Sequence, residues 1–169
     1  MRKFYKFAHT IGAIGLMGGM LCLLVILYSL PQPSADPQGF LRSTDVADSI
    51  ARIILLPSLG VTLVSGLLAI GANPALHSAG WAWFKLATGI LLFEGGLVTV
   101  QGPIQRAAMV TEEVVNAGGD LAMLAGVYGS AKGSIIVLIG VAVINVVLGV
   151  WRPKFGRRQQ QASAEILEK

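Results

Sequence analysis

"GWAWFKLATGILLFEGGLVTVQG", Gly80 to Gly102, is an apolar run of membrane-spanning length that carries two charges, Lys85 and Glu94. An α-helix rises about 1.5 Å per residue and a bilayer's hydrocarbon core is about 30 Å thick, so a span takes roughly 20 mainly apolar residues. Lys85 stands just past Trp81 and Trp83, whereas Glu94 lies in the middle of the run. Each must reach water or find a partner, because an isolated charge in hydrocarbon is costly.

The same length test selects three more segments. Residues 7–30 contain no Asp, Glu, Lys or Arg, residues 50–72 contain only Arg52, and residues 134–151 contain no charge and are flanked by Lys132 and Arg152, which can snorkel. With the opening run at 81–101, four spans are predicted. The composition agrees: 54% hydrophobic and 13% charged residues, against roughly 45–50% and about 25% in a soluble domain. The expectation is an all-α polytopic membrane protein, a four-transmembrane-helix bundle forming one integral membrane domain over residues 1–169, with a tail at 152–169. The first span is too long for a signal-peptide core, and Pro33-Ser34-Ala35 is a poor cleavage site, so it is expected to remain in the mature protein. The lone Cys22 lies within this span and can form no intramolecular disulfide.

A pI near 9.5 does not point to nucleic acid, because the positive charges gather at the ends of the spans and no basic patch with interleaved aromatics exists. Four spans put both termini on one side. That side holds Arg2, Lys3, Lys6, Arg152, Lys154, Arg157, Arg158 and Lys169, and the other Arg42, Arg52, Arg106 and Lys132. The positive-inside rule then predicts cytoplasmic termini. Loop one (31–49) and loop three (102–133) face outward, and the short "GANPALHSAG" turn faces inward. In loop three, Pro103 suits a first helical position, and Ile104, Ala107, Ala108, Thr111 and Val115 recur at helical spacing before Gly118-Gly119. A short amphipathic helix is expected there. The stretch 120–129 is compatible with a second short helix or with a longer span four. In span one, Gly15 and Gly19 form a small-xxx-small pair, with Gly12 and Gly18 as further points of close approach. No internal repeat is evident, which disfavours an inverted-repeat transporter.

This topology assigns depths. His9 and Lys85 each sit about one turn inside a span entered from the same side. Glu94 is nine residues beyond Lys85, about 13 Å deeper and on the opposite helix face, so the two cannot pair in a straight helix. Arg52 enters span two from the outer side near Glu94's level, and a structural ion pair Arg52–Glu94 is expected. Lys85 has two readings: an interfacial lysine that snorkels beside tryptophans, or a buried amine able to ligate a metal. His9 is either a near-interface hydrogen-bonding residue or a ligand. His77, in the short turn, needs no special role. Met17 and Met20 are core packing or soft metal ligands, and Asn145 and Thr62 suit interhelical hydrogen bonds. The P-loop, dinucleotide-binding, zinc-spacing and nucleophile-elbow motifs are all missing.

"KFAHTIGAIGLMGGML", "RIILLPSLGVTLVSG", "WAWFKLATGILL" and "VVLGVWRPKF", in this order, resemble the HemJ-type protoporphyrinogen oxidase family. They also resemble its relatives known only as predicted integral membrane proteins of unknown function and, more distantly, the membrane domain of copper-resistance D proteins. The specific pieces are a histidine early in helix one, Arg-x4-Pro opening helix two, and Trp-x3-Lys or Trp-x-Lys opening helix three. The resemblance implies a haem b site with His9 and Lys85 as the cofactor-binding residues, histidine as one axial ligand and lysine as the other or as a propionate partner. It further implies a redox role, either porphyrinogen oxidation or electron transfer to a quinone. Two departures, "CLLVILYSLPQPSADPQGF" after helix one and a longer loop three, place the chain nearer the uncharacterised relatives. The alternative reading, of another class, is a non-catalytic membrane subunit or assembly partner, a homo-oligomer or a companion of another membrane protein, that docks through the outward amphipathic helix.

Overall fold

A computed structural model describes residues 2–74, 80–124 and 126–151. Those residues form α1 (Arg2–Tyr28), α2 (Pro37–Ile50), α3 (Leu56–Gly71), α4 (Gly80–Gly95), α5 (Gly102–Ala117) and α6 (Gly129–Trp151). No strand occurs among the described residues. Among the described residues four stretches, Lys3–Tyr28, Pro37–Gly71, Gly80–Ala117 and Leu121–Trp151, are long and apolar enough to cross a membrane. The protein is an all-α four-helix membrane protein, and its lipid-facing surface carries Phe7, Val25, Ile53, Val98 and Val137, each about two-thirds exposed or more. The tail at 152–169 and the turn residue His77 lie outside the described residues.

The first difference from the sequence-based expectation is in loop one. It holds a helix, α2, that runs directly into α3. Asp36 caps it by accepting the Gly39 N–H at 2.8 Å, with Pro37 in the first turn, where its missing N–H costs nothing. The join is a π-helical turn, Ala51–Leu55, in which the Leu56 N–H reaches back five residues to the Ala51 carbonyl. A matching π turn, Gly96–Gln101, joins α4 to α5, with the Gly102 N–H bonded to the Leu97 carbonyl. Both turns lie just ahead of a proline, Pro57 or Pro103. Proline donates no hydrogen bond and its ring crowds the carbonyl four residues back, so the chain widens there instead of continuing as a regular α-helix.

The helix expected in loop three is present as α5 and ends at Gly118 in the left-handed conformation. It is not a separate surface helix, however. It prolongs span three and packs against α2, so Ile104, Ala107, Ala108 and Thr111 are all buried. A docking role for that stripe is therefore lost, because α2 already covers it. Between α5 and α6 the chain makes a 3-10 turn at Leu121–Leu124 and a left-handed bend at Gly126, and α6 then begins at Gly129. Span four is thus longer than predicted. Lys132 lies inside it, with its ammonium 5.0 Å from the centre of the Tyr28 ring, a cation–π position that accommodates the charge.

These pieces close one end of the bundle, here called the cap end. Phe40, Thr44, Ile104, Thr111, Leu124 and Tyr128 are buried there, with the Phe40 and Tyr128 rings 6.4 Å apart. The opposite end, where α1 starts and α6 finishes, is the terminal end.

Candidate functional site

The site is built on the tightest helix contact in the molecule. α1 and α3 form the most extensive helix pair, and glycines set their separation. A Cβ on Gly12 would lie 2.9 Å from the Thr62 backbone nitrogen, and one on Gly15 would collide with the Ser58 hydroxyl. Gly19 faces the same span one turn earlier, at Ile54 and Leu55 of the π turn, whereas Gly18 meets nothing within 4 Å. Three of the four glycines singled out in the sequence therefore serve the contact, and Gly18 does not.

One turn beyond Gly12, the close approach brings the His9 ring to α3. Its Nδ1 lies 2.9 Å from the Thr62 carbonyl oxygen. A carbonyl only accepts, so Nδ1 carries a proton, and in the neutral ring Nε2 keeps its lone pair. Ser65 adds a hydroxyl 3.4 Å from Nδ1 while donating to the Val61 carbonyl. Ser65 is buried and was missed in the sequence, where its only signal is a small polar residue inside an apolar run. Thr62 does link helices as expected, but through its carbonyl; its hydroxyl donates to Ser58 on its own helix.

The facing wall comes from α4 and α6. Lys85 extends from α4 until its Nζ lies 2.8 Å from where a Cβ on Gly149 of α6 would stand, so the glycine makes room for the amine. Asn145 of α6 donates to the Thr88 hydroxyl of α4, and Thr88 in turn donates to the Phe84 and Lys85 carbonyls. This tie fixes the turn that carries Lys85, and confirms Asn145 as an interhelical residue.

Between the walls lies a cleft of about 480 Å³, within the range that holds small-molecule cofactors, roughly 300–1,000 Å³. His9 and Lys85 both line it. Its floor is apolar, with Leu16, Met17, Leu59 and Leu92, while Tyr5, Lys6 and Trp81 stand toward the terminal end. Met20, by contrast, is fully buried core. Among the described residues no group of three or more His, Cys, Asp or Glu side chains could cage a metal ion.

Arg52 and Glu94 are not brought together. Arg52 bonds through Nε to Asp48, 2.7 Å away and one turn back along its own helix, and Glu94 is exposed on the outward side of α4. The expected pair fails because depth was matched but direction was not. Compared with protein-family models, with curated proteins and with solved structures, the chain matches none.

Proposed function

We propose that this is a haem-b-binding protein of a bacterial inner membrane, both termini in the cytoplasm, in which His9 would hold the group through Nε2 and Lys85 would be a second ligand or the partner of a propionate. The observation that carries this reading is the His9–Thr62 hydrogen bond at the edge of an apolar cleft opposite Lys85. Ligating histidines characteristically donate their other ring nitrogen to a carbonyl or carboxylate, which fixes the tautomer and the ring plane. The residues present fit the group: one oriented imidazole lone pair, apolar walls for a flat macrocycle, and Lys6 and Lys85 as cations for its carboxylates. Haem b bound there would supply one-electron transfer. The chain's own contributions are orientation of His9 by Thr62, exclusion of water by the apolar floor, and placement of the Lys85 amine by Thr88, Asn145 and Gly149. The resemblance to HemJ-type proteins supports porphyrinogen oxidation, or electron transfer to a quinone, as the redox role.

The test is the absorption spectrum of protein purified in mild detergent from haem-replete cells. A Soret band with reducible α and β bands is expected, and His9→Ala should abolish it. Lys85→Arg separates the two roles of the lysine, because a guanidinium keeps the charge but cannot ligate iron. A shifted or lost Soret band in that variant assigns ligation, and an unchanged one rules ligation out and leaves the lysine as a propionate partner or an interfacial anchor. A colourless wild-type preparation would sink the proposal. Orientation is tested separately: a reporter fused after Lys169 should be active only in the cytoplasm.

A further inference from the structure

The cleft is walled by all four spans, and its sides are not closed alike. Between α1 and α3 the glycine contact seals it, and between α4 and α6 the Lys85 chain reaches Gly149 while Asn145 donates to Thr88. The α3 and α4 residues that line it are all buried or half-buried. The exposed lining residues are Lys6 and Thr10 of α1 and Val146 of α6. Those two helices make the least extensive contact of any adjacent pair of spans. They meet near the cap end, where Lys132 lies over the Tyr28 ring. Toward the terminal end, a Cβ on Gly149 would find Lys85 within 4 Å and no atom of α1. Helices that touch at one end and diverge at the other leave a lateral opening. One turn deeper than its lips stand Ile14 and Val143, 64% and 47% exposed, so the opening faces lipid.

We propose that the cleft loads sideways from the bilayer, between α1 and α6, and that what it admits is an amphiphile with an anionic head and an apolar body. The inference deepens the reading of this cleft as the ligand site and rests on it; haem, with two carboxylates on an apolar macrocycle, is one member of the class. The head is specified by the lining, which carries two lysines, Lys6 and Lys85, and no Asp or Glu. An anion is matched by that charge and a cation is repelled. Lys6 stands at the lip toward the terminal end, where a long cationic chain reaches headgroup level. The body is specified by the floor, where Leu16, Leu59 and Leu92 offer apolar surface that only an apolar ligand gains by covering. A small water-soluble anion would satisfy the lysines and leave that floor without a use.

Photolabelling of the full chain in phosphatidylcholine vesicles, with a diazirine-bearing fatty acid dissolved in the membrane, tests this. Mass spectrometry should find the label on Leu16, Leu59 or Leu92, which are 3%, 2% and 6% exposed and out of reach of lipid lying against the outer surface. Thr10→Trp and Val146→Trp each set a bulky ring at one lip. Both should lose the floor label while keeping the label at Val64, 54% exposed on α3. A diazirine amine of the same chain length should label Val64 and spare the floor. An unlabelled floor in the parent protein, a floor label that both lip variants retain, or equal floor labelling by the amine would each overturn the proposal. Should circular dichroism show one lip variant unfolded, the other decides the route. Haemin added beforehand should protect the floor; a floor that is labelled but not protected sinks the haem assignment and leaves the lateral route standing.

Discussion

Toward the cap end, Leu27, Leu55, Val100 and Ile135 are fully buried, whereas toward the terminal end the same helices stand apart around the cleft that His9 and Lys85 line. The difference originates in chain length and side-chain size. At the cap end α2, α5 and the 121–128 segment lay extra layers over the four spans, and large residues fill the centre. At the terminal end the α1–α3 contact is set by glycine, and α4 and α6 offer Gly89 and Gly149. Packing at one end holds the bundle while small residues at the other leave room for a ligand. A site with loose walls can then be held in register by a rigid remainder.

This division can be broken by experiment. The largest effect is expected from truncating the cap core: Ile104→Ala removes a fully buried side chain and should cost about 2–5 kcal/mol. Leu86→Ala, on the half-buried cleft wall, should cost well under half of that, about 1 kcal/mol. Unfolding in mixed detergent micelles measures both, and equal losses would show that the two ends are packed alike. Next, Gly12→Ala should destabilise by about 1–3 kcal/mol, because its new methyl meets the Thr62 backbone, which cannot swing aside. The same change should weaken whatever depends on the His9–Thr62 bond. Gly18→Ala has open space and should instead stabilise by about 0.5–1 kcal/mol through helix propensity. The smallest effect concerns Tyr128, whose hydroxyl is buried beside Thr44 and Thr111 without a well-aligned hydrogen bond among the described residues. Tyr128→Phe should lie within about 1 kcal/mol of the parent; a larger loss would reveal an ordered water or another polar partner in the cap.

The four spans were legible because apolar length is a one-dimensional property, and α5 because Pro103, its apolar spacing and Gly118 are local signals. α2 was missed although Asp36-Pro37 opens it and Phe40, Thr44 and Ala47 form its buried face. A polar stretch between two apolar runs looks like a loop until a second amphipathic helix is found for it to pair with. That His9 and Lys85 line one cleft followed from counting residues inward from one side. The failure of Arg52 with Glu94 followed from the same counting: depth comes from sequence position, but direction depends on which face each helix turns to its neighbours. Asp48, one turn before Arg52, was a nearer partner at no conformational cost.

The π turns have a consequence for the cadence of the buried residues. Ala47, Ala51, Leu55 and Leu59 are buried in strict steps of four, as are Leu92, Gly96, Val100, Ile104 and Ala108. In an unbroken α-helix each step of four overshoots a full turn by about 40°, so the first series would rotate by about 120° and the second by about 160°, carrying Ala108 almost to the far side from Leu92. One extra residue in a wide turn takes back about 100° and keeps both series facing the core. Each π turn therefore behaves as a phase corrector between a membrane helix and its cap helix: deleting one residue from Gly96–Gln101 should convert the wide turn to a regular α-helical one and leave Ile104 and Thr111 facing the core, whereas inserting one residue there should rotate them out by about 100°.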